Sequence, residues 1–210
     1  MFVKSIMIPK HQCHVVSHQD TLLSALTKLE EEQIDGLPVL DGPTYVGTIT
    51  RYSIYENYFK SQQTKDEYLT NTTVSQIATY QDRFLEGNEI FENLLLDLKD
   101  YPLLAVVDEK RKFLGVVTRS DCLEQFGSAF GVHRRGIRIA FTSVETEGRI
   151  AKLAEIAHQY HEQIISLVTF DETDKLVRRI VLKIEKNNNV DKFVKKLEDF
   201  GFRILHIHED

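Results

Sequence analysis

The chain has no tryptophan and, in 210 residues, only two methionines, two cysteines and four prolines. Cys13 and Cys122 are too few for a disulfide framework and read as reduced intracellular thiols. Long apolar runs are also missing: no stretch approaches the roughly 20 residues of a membrane span. The opening Met1-Phe-Val-Lys-Ser-Ile-Met-Ile-Pro lacks the apolar core of a secretory signal. There is no excess of positive charge, and a net charge of −6 argues against a general nucleic-acid or membrane-surface role. A local basic cluster can still hold phosphates. Together these absences predict a cytoplasmic protein with neither a nucleic-acid nor a membrane partner. Catalytic signatures are absent as well. No Gly-x-x-x-x-Gly-Lys-Ser/Thr loop, no Gly-x-Gly-x-x-Gly and no convincing Ser-His-Asp or Cys-His arrangement occurs. The expectation is a protein that is not an enzyme and carries no cofactor.

What is present is a repeat. Asp35–Ser53 and Tyr101–Asp121 each read as an apolar strand, a turn, and a second apolar strand running through Gly-x-x-Thr-Arg into a helix. Gly47 and Gly115, Thr50 and Thr118, and Arg51 and Arg119 stand at one common offset of 68 residues. Two copies of such length predict a pseudo-symmetric pair around a shared cleft rather than a solenoid. Asp20 is a candidate cap for a helix carrying Leu22, Leu23, Leu26 and Leu29. In the second copy Ile90, Phe91, Leu94, Leu95 and Leu98 predict the matching helix. The expected boundaries are repeat 1 over 1–60, a polar linker over 61–73, repeat 2 over 74–127 and a hinge over 128–136.

Residues 137–210 read as a separate module. Strands are expected at Ile137–Val144, Ile164–Phe170, Leu176–Ile184 and Phe202–Ile207, with helices at Gly148–His161 and Val190–Phe200. That βαββαβ order is the ferredoxin-like arrangement. The fold class is therefore α+β.

The two repeats resemble CBS domains, on Gly47-Thr-Ile-Thr50-Arg51-Tyr-Ser53, Gly115-Val-Val-Thr118-Arg119-Ser-Asp121 and Leu37-Pro38-Val39. A tandem pair of these is a Bateman module. The C-terminal part resembles an ACT domain, on Val144-Glu-Thr-Glu-Gly148-Arg-Ile and the strand order. The whole is similar to bacterial CBS–ACT proteins of the acetoin-utilisation type. The resemblance implies a regulatory protein sensing an adenine nucleotide (AMP, ADP, ATP or cyclic di-AMP) between the repeats. It also implies a homodimer and, for a regulator, a downstream protein partner. The alternative is an amino-acid-responsive ACT regulator whose CBS pair is a dimerisation scaffold.

The resemblance implies a nucleotide-binding set of Thr118, Arg119 and Asp121, with Val15, Val16, Leu37, Pro38 and Val39 around the base, and with Thr50 and Arg51 at the second junction. An Asp carboxylate can accept from both ribose hydroxyls, and Arg offers a fork of donors to phosphate. The plainer alternative is that Asp121 caps its helix. Ser53 stands where the acid is expected in repeat 1, so the reading is one good site at Asp121 and a weaker one at Ser53. The resemblance also implicates His14 beside these base-binding strands, the favoured alternative being an ordinary strand residue. Arg134 and Arg135, with Arg138 beyond, are possible phosphate contacts, the alternative being a solvated linker. Glu145 and Gly148 mark a possible ACT ligand loop, although the acidic Glu145 and Glu147 would repel a carboxylate. His206 and His208 alternate on one strand without a second ligand cluster, so no metal site is expected.

Overall fold

The computed structural model describes residues 3–144, 146–171 and 177–210, which form two compact units, Met1–Leu123 and Glu124–Asp210. In the first unit, β1 (Ile8–Pro9) and β2 (Val16–Ser17) precede α1 (Leu22–Glu31), β3 (Gly36–Asp41), β4 (Thr44–Thr50) and α2 (Arg51–Lys60). Then follow α3 (Lys65–Asn71), α4 (Val74–Ile77), β5 (Phe84–Leu85), α5 (Leu94–Asp97), β6 (Leu103–Val107), β7 (Phe113–Thr118) and α6 (Arg119–Ala129).

Helix α1 forms because Leu22, Ala25, Leu26 and Leu29 bury one stripe, and because a side chain closes its start. That cap is Thr21, whose Oγ1 accepts from the Ser24 N–H at 3.3 Å. Asp20, the expected cap, instead accepts from the Ser17 N–H and closes the preceding turn. The segment expected as a linker contains α3, started by a reciprocal Thr64–Glu67 capping box and anchored by buried Tyr68 and Leu69. The expected helix around Phe91–Leu98 is shorter than its apolar pattern. A 3₁₀ turn (Phe91–Asn93) leads into α5, which buries Phe91, Leu94 and Leu98 and leaves Ile90, Leu95 and Leu96 exposed.

The central strands β3 and β6 are apolar almost throughout, as strands covered on both faces must be. Their sheets are β2-β3-β4 and β1-β7-β6-β5. Each repeat completes the other. β1, at the start of repeat 1, pairs with β7 of repeat 2, while Thr79, at the start of repeat 2, bridges to Thr48 on β4. The two repeat glycines permit these crossings. A Cβ on Gly115 would lie 2.2 Å from the Ile8 carbonyl, and one on Gly47 would lie 3.0 Å from the Thr79 carbonyl. The interlock is continued by Tyr45, whose ring sits in the core of repeat 2 and whose hydroxyl donates to the Tyr80 carbonyl at 3.1 Å.

The second unit runs β8 (Ile137–Val144), α7 (Arg149–Gln159), β9 (Ile164–Asp171), β10 (Val177–Ile184), α8 (Val190–Asp199) and β11 (Arg203–Glu209). Its sheet order is β11-β8-β10-β9 with every pairing antiparallel, the βαββαβ arrangement expected. Ile139 and Phe141 from β8, Ile180 and Leu182 from β10, and Phe193 and Leu197 from α8 make the core. The expected hinge at 128–136 is packed into this unit. The Phe130 carbonyl accepts from Ser166 Oγ and the Gly131 carbonyl from Lys183 Nζ, each at 3.0 Å.

Candidate functional site

The last residue of β7, Thr118, is the N-cap of α6. Its Oγ1 accepts from the Asp121 N–H at 3.1 Å, while Asp121 Oδ2 accepts from both the Thr118 N–H and the Thr118 hydroxyl. Capping is therefore one job of Asp121. Both bonds fall on Oδ2, and among the described residues Oδ1 has no partner. At the matching junction Thr50 caps α2 with Ser53, whose hydroxyl bonds the Thr50 N–H, hydroxyl and carbonyl at 2.9–3.2 Å. Thr50 and Ser53 are buried, so that junction caps its helix but presents no carboxylate.

The two arginines of the repeat also match, in a role the sequence reading missed. Arg51 Nη2 donates to the Leu29 and Ile34 carbonyls at 2.9 and 2.7 Å. Arg119 Nε donates to the Leu98 carbonyl at 2.9 Å, and its Nη2 to Lys99 at 3.4 Å. Each guanidinium thus ties down the orphan carbonyls that end the preceding helix. Their first duty is architectural rather than phosphate binding.

A cavity of about 330 Å³ opens beside Thr118, Arg119 and Ser120. Its other walls come from Gln12–His14, from Gln33–Gly36 with Pro38, and from Pro102 and Leu103. Of the sequence-predicted residues, this cavity gathers Pro38, Thr118 and Arg119, and it stops one residue short of Asp121. Val16, Leu37 and Val39 are buried in the core of repeat 1, and Val15 packs against that of repeat 2. Leu37 and Val39 face away from solvent because β3 is covered on both sides, Val16 points inward from β2 while its neighbour Ser17 is exposed, and Val15 is partly buried. Thr50 lies in the buried cap and Arg51 is held on the Leu29 and Ile34 carbonyls, and neither lines the cavity. His14 lines the cavity and pairs with Glu32 at 3.3 Å. Apart from His14, which the resemblance implicates, the segments 12–14 and 33–36 carry no periodic pattern that marks them as walls.

The second junction is filled differently. Tyr80 and Tyr101 meet edge to face with centroids 4.5 Å apart. Burial, then the neighbouring Tyr101, Tyr52 and Glu56, push the Tyr80 hydroxyl above its ordinary pKa.

Neither thiol is activated. Burial raises the pKa of Cys13 and, with the help of Asp121, that of Cys122. Cys13 donates to the Ile8 and Pro9 carbonyls as a neutral thiol. Among the described residues no three His, Cys, Asp or Glu side chains come together to hold a metal ion, and no helix is long and apolar enough to cross a membrane. In the second unit, Glu145 lies outside the described residues, and Gly148 opens α7 with a left-handed φ of 82°. Arg134 binds Glu185 at 2.6 Å, while Arg135 is exposed.

Comparison with known proteins places the first unit. A CBS domain-containing protein of unknown function from Bacillus anthracis str. Ames Ancestor is 26% identical, with a TM-score of 0.54 over 60% of this chain and 93% of that one. CBSX2 in complex with AMP is 28% identical, with a TM-score of 0.51 over 63% and 98%. CbpB of Listeria monocytogenes in complex with c-di-AMP, 24% identical with a TM-score of 0.55 over 62% and 98%, shares the fold. The family model described as the CBS domain matches residues 3–60 and 87–128, and the chain's N-terminal part is thereby recognised as a pair of CBS domains.

Proposed function

We propose that this protein is a regulatory, non-enzymatic sensor that binds an adenine nucleotide in the cavity beside Thr118. The observation that carries the reading is the α6 cap. It holds the Asp121 carboxylate one residue beyond the cavity wall at Ser120, and among the described residues its Oδ1 has no partner, which leaves the acceptor a ribose diol needs. A cavity of about 330 Å³ falls within the size range of small-molecule pockets. The likeness to CBSX2, whose structure holds AMP, supports the ligand class. Cyclic di-AMP remains within that class, since CbpB shares the fold and is seen with it. The second junction, with Ser53 engaged in its cap and a tyrosine cluster beside it, offers no such acceptor. One nucleotide per chain is the expected stoichiometry.

Regulation requires that the ligand prefer one conformation over another. The βαββαβ order of the second unit supports reading it as an ACT-type regulatory domain that receives the signal, in a cytoplasmic homodimer acting on a downstream protein. The test is calorimetric titration with AMP, ADP, ATP and cyclic di-AMP on wild type and on Asp121→Asn, a change that keeps a capping oxygen and removes the charge. Binding by one nucleotide, weakened about 10-fold or more in the variant, is expected from losing charge-assisted hydrogen bonds. Equal binding by both proteins would move the ribose away from Asp121.

A further inference from the structure

The second unit buries its helices on one face of the sheet, and the other face carries a basic cavity. Along β8, Ile137, Ile139 and Phe141 point into the core, so Arg138 and Ala140 point the opposite way. Along β10, Ile180, Leu182 and Ile184 do the same, which sends Val181 and Lys183 to the side of Arg138. Over this face lies a cavity of about 400 Å³, lined by Phe130, Val181, the basic run 133–135, Arg138, Lys183 and Asp210.

The charge in this cavity is unbalanced. Arg134, Arg135, Arg138 and Lys183 surround it, and Asp210 is the one carboxylate on its wall among the described residues. Glu185 takes one nitrogen of Arg134 from outside. Arg135 and Arg138 form no ion pair among the described residues, in a chain whose net charge is −6. A solvated linker would spread such charges apart. Here they are held together by a fixed loop. Its Gly131 has a φ of 68°, and a Cβ there would sit 2.6 Å from Ile165. Lys183, only 6% exposed, donates to the Gly131 carbonyl and pairs with Asp210 Oδ2. A buried ammonium is costly unless it faces an anion. Asp210 supplies one carboxylate and also meets His208 at 3.6 Å. That carboxylate already sits where an oxyanion fits; it pairs directly with Lys183 and feels Arg138 at longer range, so a single carboxylate on the wall faces four cations.

We infer that this cavity is an anion site of its own, built for a phosphate or diphosphate group. Three guanidinium forks and one ammonium match oxygens spread over two phosphorus atoms better than a lone carboxylate. This site is independent of the nucleotide reading for the first unit and contains none of its residues. The group could come from free diphosphate or from the phosphate chain of a nucleotide.

The test is calorimetric titration of the full chain with inorganic pyrophosphate, without divalent cation, on wild type, Arg135→Gln/Arg138→Gln and Asp121→Asn. Wild type should bind with an affinity that falls steeply as salt is added. The double variant, which breaks no ion pair among the described residues, should retain the wild-type melting profile and bind at least 10-fold more weakly. Asp121→Asn should bind pyrophosphate like wild type. Asp210→Ala should bind several-fold more tightly, because it removes the competing carboxylate. Displacement of pyrophosphate by ATP but not by adenosine would support the site with nucleotide phosphates as its source. Binding that ATP does not displace would support it with free diphosphate as the source. No binding by wild type, equal binding by the double variant, or loss of binding in Asp121→Asn would overturn the inference.

Discussion

Arg51 gives the sharpest separation between building the fold and binding a ligand. Replacing it with Met keeps most of the aliphatic stem and removes two hydrogen bonds, to the Leu29 and Ile34 carbonyls at 2.9 and 2.7 Å. A hydrogen bond from a charged donor contributes about 1.5–3 kcal/mol. The side chain is 35% exposed, which puts these bonds at the low end of that range. Its Nε is buried without a partner, and removing that orphan returns part of the loss. The net cost is about 2 kcal/mol, or roughly 6–8 °C for a unit of this size. Scanning calorimetry of the full chain, with the two units resolved as separate transitions, is the assay, since a single two-state fit does not describe two domains. Only the N-terminal transition should move, and AMP binding should not. Arg119→Met should lose less stability, about 1 kcal/mol, because its second bond is 3.4 Å long. It should weaken nucleotide binding, because Arg119 also lines the cavity. An unchanged melting temperature in Arg51→Met together with lost nucleotide binding would refute the argument and return this arginine to a phosphate.

Three further outcomes follow from other parts of the molecule. Gly115→Ala places a methyl carbon 2.2 Å from the Ile8 carbonyl and should cost about 3 kcal/mol or more by forcing β1 off β7, whereas Gly148→Ala meets nothing within 4 Å and should cost only the left-handed backbone, about 1 kcal/mol; urea denaturation compares them. Ser53→Ala breaks a buried cap and should lose about 1 kcal/mol with nucleotide affinity unchanged, read by the same melting and titration experiments. Glu162 is 8% exposed, and burial raises its pKa despite the bond from Asn187. The folded state therefore favours its protonated form. The contribution to stability is full below the unfolded carboxyl pKa and is lost as pH rises through the folded value. Glu162→Gln should accordingly stabilise the chain at pH 7 and change little at pH 4, and equal effects at both would contradict the burial argument.

Much of the fold was legible because hydrophobic period and turn chemistry carry it. The βαββαβ order of the second unit and both strand–turn–strand–helix repeats stand where apolar alternation and Gly-x-x-Thr-Arg place them. The misses have local causes. Helix α3 is polar on average and reads as a linker, yet Thr64-x-x-Glu67 is a capping-box signature that announces it. The Phe91–Leu98 stripe satisfies helical spacing, but a 3₁₀ turn followed by the single turn of α5 buries three of its residues without a full-length helix. Asp20 and Thr21 are both good caps by type, and only the backbone geometry decides between them. The site was half legible. Thr118, Arg119 and Pro38 carry a motif, whereas Gln12–His14 and Gln33–Gly36 become walls through β1 crossing to β7, a long-range pairing that local pattern does not encode. Gly47 and Gly115 did hold that information, since an equal glycine in each repeat marks a place where backbone must pass close to backbone.

The asymmetry of the pair then has a physical account. A capping box uses one acceptor three residues past its cap to hold the cap's own N–H, and a serine hydroxyl or an aspartate carboxylate can supply it. Ser53 spends its single oxygen on the Thr50 backbone and hydroxyl and is buried in doing so. Asp121 has two oxygens and spends only Oδ2. The repeat can therefore exchange one residue for the other while keeping the helix, the arginine tie and the glycine crossing. What changes is whether an acceptor is left over. In this chain the fold is symmetric because capping is satisfied twice, and the proposed binding is one-sided because, of the two junctions, only the Asp121 one keeps a carboxylate oxygen without a partner among the described residues.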